Sequence, residues 1–423
     1  MSRETATASG CRTEIAGVPI SHLVERFGTP TYVYDESKIL DCVGDLRRFD
    51  VIRYAQKACS NIAILDLMRR HGVLVDAVSA GEIHRALTAG YTAGSQPPAI
   101  VYTADIFDHD AIRLVVEYGL HVNVGSPDMI DQLGEVAPGT NITLRINPGF
   151  GHGHIQKTNT GGEHSKHGIW HTQLEECLRR ADHHGLGVTG LHMHIGSGCD
   201  LEHLAQVCAA MENAAMTAGR GVVSISAGGG LPIPYRPGET RVGLDGYFQL
   251  WDATRQRLEN AFGHAVTLEI EPGRYLVAES GYLLAEIRAV KQTGDNLFYL
   301  LDAGFNNLAR PILYGAYHPM SVAPRDGDAR RRLQDVVVGG PLCESGDIFT
   351  QEEGGYVVRR QLPAATVGDW LVIECAGAYG FVMSSNYNAK PLAAEVLVRQ
   401  GAANLIRARQ TYADLMRGEC IPE

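Results

Sequence analysis

Strand-like and helix-like segments alternate along roughly the first two thirds of this chain. Eight short runs rich in β-branched residues recur there, namely VIRYA (51), VLVDAVS (73), AIVYT (99), LHVNV (120), ITLRIN (142), VTGLHMHI (188), VVSISA (222) and VTLEIE (266). The segments between them, such as NIAILDLMRRHG and AGEIHRALTAG, carry apolar residues at helical spacing and often end in glycine. Eight βα units of this size predict a (β/α)8 barrel of the TIM type, with a doubly wound parallel sheet as the alternative.

The pattern changes after about residue 285. Strand-like runs now follow one another without long helices, as in YLLAEIRAVKQTG, LFYLLDAG, VVVGGPLC, YVVRRQL, DWLVIECAGAYG and AEVLVRQG. A chain of 423 residues is also longer than one core usually supports. We therefore expect an α/β barrel over residues 28–285, and a second, β-rich domain, a β-barrel or β-sandwich, formed by residues 1–27 and 286–423.

Composition excludes several classes of function. The formal net charge of −11 and the lack of any run of lysine or arginine argue against nucleic acid as the main partner. The N-terminal MSRETATASGCRTEIAG has no apolar signal region, and no segment approaches the roughly 18 uninterrupted apolar residues of a membrane span. The nine cysteines include no C-x-x-C pair, so reduced thiols are expected, without structural zinc. We expect a cytoplasmic protein that binds no membrane.

A lysine follows the first predicted strand, in VIRYAQKACSN (51–61). Active sites of (β/α)8 barrels lie at the carboxyl ends of the strands. Small and apolar neighbours would leave Lys57 partly desolvated at the barrel mouth, which is the environment of a nucleophilic lysine that reacts with a carbonyl. An ordinary solvated charge is the alternative, and the lysine alone does not decide between them.

Three consecutive glycines, Gly228, Gly229 and Gly230, follow the seventh predicted strand. Their backbone N–H groups can approach an anion closely, at the usual phosphate position of this fold, and Ser197 could add a hydroxyl. A plain tight turn is the alternative. A lysine and a phosphate cradle at one barrel mouth suit a cofactor that is both an aldehyde and a phosphate ester, and this predicts pyridoxal 5'-phosphate (PLP).

Two further features fit this cofactor. PLP withdraws electrons effectively when its ring nitrogen is protonated, which favours a neighbouring carboxylate, and Glu271 follows the eighth predicted strand. His192 or His194 could cover one face of the ring, and spacing alone does not choose between them. The segment 149–170 is rich in histidine and glycine, but it has no HExxH pattern, so we expect a loop over the barrel mouth rather than a metal site.

Seven motifs in order give the chain a close resemblance to a known family. They are RYAQKACSN, HMHIGSG, SAGGGLP, EIEPGRYLVA, DAGFNNLARPILYGAYH, GGPLCESGD and GAYG, followed by MSSNYNAKP. The chain resembles the bacterial diaminopimelate decarboxylases, which belong to the fold type III group of PLP enzymes together with alanine racemase and ornithine decarboxylase. The resemblance covers essentially the whole chain.

The resemblance implies a role for each matched residue. It makes Lys57 the lysine that attaches the cofactor, places His194 on the ring, and assigns Glu271 to the ring nitrogen. The remaining cofactor contacts would come from Ser197, Gly228, Gly229, Gly230, Gly273, Arg274 and Tyr379. It also implies that Cys343 donates a proton during the reaction, and that the distal end of the substrate is bound by Arg274, Arg310, Tyr314, Glu344 and Tyr379.

The implied reaction is the decarboxylation of meso-2,6-diaminopimelate to L-lysine and CO2, catalysed by a homodimer whose sites are completed by CESGD of the neighbouring subunit. Related decarboxylases of ornithine, D-lysine or carboxynorspermidine type are the alternatives within the fold. Arginines at a distal carboxylate would serve no purpose for a substrate with only an amine there. Further alternatives are an amino-acid racemase, a non-catalytic PLP-binding protein and an aldolase that uses a lysine without a cofactor.

Overall fold

The structure is a computed structural model that describes residues 10–151, 161–194 and 200–423. The chain divides into two compact units. One comprises residues 42–233 and 241–276, and the other comprises residues 1–41, 234–240 and 277–423. Within the described residues, no helix combines the length and the apolar character that crossing a membrane requires.

The first unit contains a closed barrel of eight parallel strands among its described residues. In chain order, and referred to below as barrel strands one to eight, they are Val51–Ala55, Leu74–Ala77, Ile100–Ala104, His121–Val124, Asn141–Asn147, Gly187–His192, Ser224–Ser226 and Thr267–Ile270. Each strand pairs with the next, and strand eight pairs with strand one, which closes the barrel. The predicted (β/α)8 barrel is confirmed, and its strands coincide with the eight runs found in the sequence.

Helices follow the barrel strands and begin at the carboxyl-end face. They are Glu36–Asp45, Ile62–Arg70, Ala80–Thr88, His109–Tyr118, Pro127–Val136, Leu174–His183, Leu201–Ala218, Leu244–Phe262 and Arg274–Val277, the first of which precedes strand one. Side chains of Ser79, Asp108 and Asp200 cap three of them by accepting backbone N–H bonds. A short strand, Ile169–Trp170, pairs with the end of strand five.

The second unit is mostly β-sheet, as predicted. Its strands are Glu14–Ile15, Val18–Pro19, Thr31–Asp35, Gly281–Thr293, Asn296–Leu301, Met320–Ala323, Leu333–Gly339, Arg360–Pro363, Trp370–Ile373, Ala394–Arg399 and Ala402–Arg407. Its helices are Ile20–Phe27, Arg310–Tyr314 and Tyr412–Leu415. The long strand Gly281–Thr293 is central, because it pairs with three others.

Apolar side chains from distant parts of the second unit form one core. Val33, Leu284, Val372 and Val396 come from four different strands and are all essentially fully buried. Ile20 of the first helix packs into the same cluster. This core therefore joins the N-terminal residues of the chain to strands that lie hundreds of residues later.

Candidate active site

Lys57 lies in a short 3-10 turn, Gln56–Ala58, that follows barrel strand one directly. Its neighbours Gln56 and Ala58 are buried, whereas Lys57 itself is exposed. The partial desolvation expected from sequence is therefore not observed in the single chain, because the turn carries the side chain beyond the end of the strand. The amine stands at the carboxyl-end face of the barrel, where the chemistry was predicted.

Glu271 is almost fully buried just past barrel strand eight. Its Oε2 lies 2.6 Å from Nε2 of His192, and its Oε1 accepts from Ser226 at 3.2 Å and from Asn123 at 3.4 Å. Burial alone would raise the pKa of Glu271, but the contact with His192, together with the cations of Arg53 and Arg145, outweighs that effect and lowers the pKa. The carboxyl group is therefore ionised at neutral pH.

His194 stands beside the glycine loop. Its Nδ1 accepts the backbone N–H of Gly229 at 2.7 Å, so the ring proton of the neutral form is on Nε2. Burial and the cation of Lys57 lower the pKa of His194 well below its usual range. His194 is thus a neutral ring with a fixed tautomer. His192 instead lies against Glu271, so the two histidines have different hydrogen-bond partners.

The glycine loop approaches other backbone so closely that side chains would not fit. A Cβ on Gly228 would lie 2.4 Å from the carbonyl oxygen of Met193, and one on Gly229 would lie 2.4 Å from that of Glu271. Gly228 and Gly230 also have positive φ angles of 61° and 95°. The third predicted phosphate contact, Ser197, lies outside the described residues.

Two acidic residues that the sequence reasoning missed, Asp76 and Glu82, lie close enough to Lys57 for its charge to oppose a rise in their pKa values. Asp76, at the end of barrel strand two, is 3% exposed, and its Oδ1 has no hydrogen-bond partner within the described residues. Burial and the charge of Glu271 raise the pKa of Asp76, while Lys57 opposes the rise. Burial likewise raises the pKa of Glu82 to about 7. The sequence feature that could have identified Asp76 is a charged residue inside the otherwise mostly apolar run VLVDAVS.

These residues fit PLP. The ionised Glu271 suits a protonated ring nitrogen. In the glycine loop, the backbone N–H groups of Gly228 and Gly229 donate to Ser226 at 3.1 Å and to His194 at 2.7 Å, so a phosphate would be met by the backbone from Gly230 onwards. Gly273 packs the turn after strand eight against Ala55 and Ala58, where a Cβ would lie 3.1 Å from the Ala55 carbonyl oxygen. Close packing at that point brings the turn that carries Arg274 against the end of strand one, next to Lys57.

The remaining predicted residues belong to the second unit. Arg310 is 6% exposed and begins the short helix that ends at Tyr314. Tyr379 is half-buried with a positive φ of 56°, in a segment where a Cβ on Gly377 would lie 1.9 Å from the carbonyl oxygen of Val277. Such backbone crowding fixes the GAYG segment against its surroundings.

Cys343 and Glu344 are exposed on a loop whose backbone is held by hydrogen bonds. Buried Asp347 accepts the backbone N–H groups of Phe305 and Leu342, each at 2.7 Å. The backbone N–H of Cys343 donates to Oδ1 of Asn388 at 2.8 Å. The loop thus presents both side chains to solvent from a fixed backbone.

The segment 149–170 is described in part, since residues 152–160 lie outside the described residues. In the described part, Nδ1 of His167 lies 2.6 Å from Oδ2 of Asp105, and Oδ1 of Asp105 accepts the backbone N–H of Gly168 at 2.8 Å. The pKa of Asp105 is lowered, because these contacts outweigh its burial. The C-terminal end of the segment is therefore attached to the residue that follows barrel strand three.

Comparison with known proteins places these residues in a family. Residues 39–278 match the family of pyridoxal-dependent decarboxylases, over its pyridoxal-binding domain. The diaminopimelate decarboxylase of Streptomyces coelicolor is 57% identical over 93% of this chain and 90% of its own length.

Solved structures show the same similarity. A crystal structure of a diaminopimelate decarboxylase superposes with a TM-score of 0.91 at 53% identity, covering 94% of each chain. That of the Helicobacter pylori enzyme, complexed with L-lysine, has a TM-score of 0.83 at 30% identity, and covers 94% of this chain and 98% of its own. The similarity thus includes both the barrel and the β-rich unit.

Proposed function

Because the chain belongs to the diaminopimelate decarboxylase family, within the pyridoxal-dependent decarboxylases, we propose that it is a carboxy-lyase that converts meso-2,6-diaminopimelate to L-lysine and CO2, the last step of lysine biosynthesis. The observation that carries the proposal is the buried, ionised Glu271 beside a glycine cradle, at the barrel face where Lys57 emerges. That arrangement suits PLP, and the matched motifs of the second unit suit a substrate with a distal carboxylate.

Four groups of the barrel would hold the cofactor. Lys57 would attach it, His194 would lie on one face of its ring, and Glu271 would accept a hydrogen bond from the ring nitrogen. The glycine loop would bind the phosphate, together with Ser197, Gly273, Arg274 and Tyr379. His192 is a positioning residue here, because it fixes the Glu271 carboxylate at 2.6 Å without being assigned to the ring.

Bound PLP supplies a protonated ring that accepts the electron pair left behind when CO2 departs. Residues of the chain would hold and donate the protons that the reaction needs. The negative charge of Glu271 favours a proton on the group that it faces. Cys343 would return a proton to the carbon that lost its carboxyl group, a step that suits a thiol on a firmly anchored loop. Retention of the carboxylate at the other end of the molecule leaves L-lysine.

Recognition of the substrate would depend on its far end. Arg274 and Arg310 would bind the distal carboxylate, since a guanidinium pairs with a carboxylate through two parallel hydrogen bonds. Tyr314 and Tyr379 would add hydroxyl groups, and Glu344 would accept from the distal ammonium. Substrates that lack the distal carboxylate, such as ornithine or D-lysine, would leave the two arginines without their ligand.

The assembly is part of the proposal. We propose a homodimer in which Cys343 and Glu344 serve the active site of the other subunit, a role to which the matched CESGD motif points. Their exposure in the single chain supports this, because a second copy can reach both side chains. A two-fold dimer would use the same surface of each subunit and would complete two sites at once.

Mixing two inactive variants tests this arrangement. Lys57→Ala and Cys343→Ala chains, combined under conditions that exchange subunits, should recover about a quarter of wild-type turnover, because half of the dimers are mixed and each mixed dimer has one intact site. Each variant alone is the control. No recovery, with subunit exchange verified by mass, would mean that Lys57 and Cys343 act within one chain.

Replacement of Arg310 tests the proposed carboxylate contact. We expect Arg310→Ala to raise KM for meso-diaminopimelate by about ten- to a hundredfold, since a hydrogen bond to a charged group contributes roughly 1.5 to 3 kcal/mol. The turnover number should change much less. Steady-state kinetics measure both, with exposed Arg330→Ala as the matched control. An unchanged KM would remove Arg310 from substrate binding.

The function itself is tested by CO2 release from PLP-loaded protein. The candidate substrates are meso-diaminopimelate, L-lysine, L-ornithine and D-lysine, and the configuration of the product is determined by chiral chromatography. We expect release from meso-diaminopimelate alone, with L-lysine as product. Release from one of the simple diamino acids instead would retain the PLP chemistry and would overturn the roles proposed for Arg310 and Glu344.

A further inference from the structure

A buried histidine contacts Arg310 directly. Nη1 of Arg310 lies 2.9 Å from Nε2 of His318, and His318 has no exposed surface. The other ring nitrogen of His318, Nδ1, lies 2.9 Å from the backbone carbonyl oxygen of Glu374. Neither the cofactor contacts nor the substrate contacts proposed above include this residue.

Hydrogen-bond chemistry allows only one state of His318. A carbonyl oxygen can only accept, so Nδ1 must carry a proton to bond with Glu374. A guanidinium can only donate, so Nε2 must offer a lone pair to Arg310. His318 is therefore a neutral ring protonated on Nδ1, and it accepts a hydrogen bond from the arginine.

Aromatic contacts complete the support of the guanidinium. Cζ of Arg310 lies 4.8 Å from the ring centroid of Tyr235, within the range of a cation–π contact. The Tyr235 ring meets His318 edge-on, with centroids 5.6 Å apart. Arg360 donates to the backbone carbonyl of His318 at 3.1 Å, which fixes the histidine in turn.

The His318 and Tyr235 rings bring no negative charge to Arg310. His318 and Tyr235 are both neutral, so they orient the guanidinium without neutralising it. The Glu374 carboxylate, whose own backbone carbonyl holds His318, accepts from Arg12 at 3.1 Å and from Ser321 at 2.9 Å instead. Neither of these two rings therefore competes with an incoming carboxylate as an anion would.

We propose that His318 is a positioning residue that determines specificity for the distal carboxylate, by holding Arg310 in the orientation that binds it. The proposal rests on the substrate role of Arg310 under the proposed function. His318 touches neither the cofactor nor the reacting carbon in this scheme. Loss of the histidine should therefore weaken binding of ligands that carry the distal carboxylate, and should spare ligands that lack it.

The two enantiomers of lysine separate these effects. L-lysine retains the carboxylate and the amine of the distal centre of the substrate, whereas D-lysine carries the reacting centre and has no distal carboxylate. Competitive inhibition constants against meso-diaminopimelate are measured for both enantiomers with His318→Leu protein. We expect the constant for L-lysine to rise about five- to tenfold, the loss of one hydrogen bond, and the constant for D-lysine to stay as in the wild type.

Three further proteins make the result decisive. His121→Leu removes another largely buried histidine, which begins barrel strand four and whose Nε2 lies 2.8 Å from Thr143 Oγ1. This substitution should change neither inhibition constant. Arg310→Lys should raise the constant for L-lysine. Where His318→Leu fails to accumulate in PLP-loaded form, His318→Gln serves the same comparison, with a smaller expected rise.

Equal changes in both constants, or no change in either, would overturn the proposal for His318 provided that Arg310→Lys raises the constant for L-lysine. An Arg310→Lys protein with an unchanged L-lysine constant would instead show that Arg310 does not bind the distal carboxylate. That outcome would refute the role of Arg310 under the proposed function, so the two failures are distinguishable.

Discussion

Lys57→Ala protein is expected to lose turnover of meso-diaminopimelate by several orders of magnitude, because no other residue is assigned to attach the cofactor. The backbone should not change. The 3-10 turn Gln56–Ala58 accepts alanine, and the side chain of Lys57 is exposed, so its removal leaves no cavity. Turnover is measured by CO2 release, and the fold by circular dichroism and thermal unfolding.

Spectroscopy separates loss of attachment from loss of binding. Lys57→Ala protein should still bind PLP through the glycine loop and Glu271, but the cofactor should leave on dialysis and its absorption should shift towards that of free PLP. Lys291→Ala is the matched control, since Lys291 is exposed on the strand Gly281–Thr293 of the other unit. Near-normal turnover by Lys57→Ala protein would eliminate the covalent role of this lysine.

The barrel could be predicted because its strands are buried on both faces and follow one another locally. Every residue of Val51–Ala55 is buried, and the run is mostly apolar or β-branched, with Arg53 as its one charged residue. The helices between the strands are predicted by the spacing of their apolar residues and by their capping residues. Parallel order then follows from alternation, since each strand pairs with its neighbour in the chain.

For the β-rich unit, the sequence predicted only the structural class and not which strands pair. Thr31–Asp35 pairs with Gly281–Thr293 and with Ala394–Arg399, partners that lie hundreds of residues away. No local pattern encodes such pairing, because it depends on which distant surfaces bury each other. The same limit applies to Asp76 and His318, whose importance comes from neighbours in space rather than from their place in a motif.

The placement of residues at the strand ends could be predicted from the sequence, whereas the directions of their side chains could not. Topology alone brings Lys57, the glycine loop and Glu271 to one face of the barrel. It could not divide the work between His192 and His194, which differ in where their rings point. The structure shows different contacts for the two rings, because His192 bonds to Glu271 and His194 accepts from Gly229. Spacing of two along a strand carries no such information.

Glu271→Gln is expected to lower turnover by about a hundred- to a thousandfold, in the range attributed to a single positioned acid–base or charged group. The substitution preserves the size of the side chain and an oxygen that can accept from Ser226, but it removes the negative charge that favours a protonated partner. KM should change little, because Glu271 is assigned no contact with the substrate. Turnover and the affinity for PLP are measured separately.

Glu269→Gln is a matched control, because Glu269 lies within barrel strand eight, two residues before Glu271. Glu269 pairs with buried Arg53 at 3.2 Å, so its loss should lower the melting temperature, as the breaking of a buried ion pair does. Turnover at a temperature where the protein is folded should stay near wild type. The expected pattern is thus opposite for two glutamates two residues apart: Glu271 governs the reaction and Glu269 the stability. Equal losses of turnover in both variants would attribute the Glu271 effect to damage of the barrel, and the cofactor role of its charge would then fail.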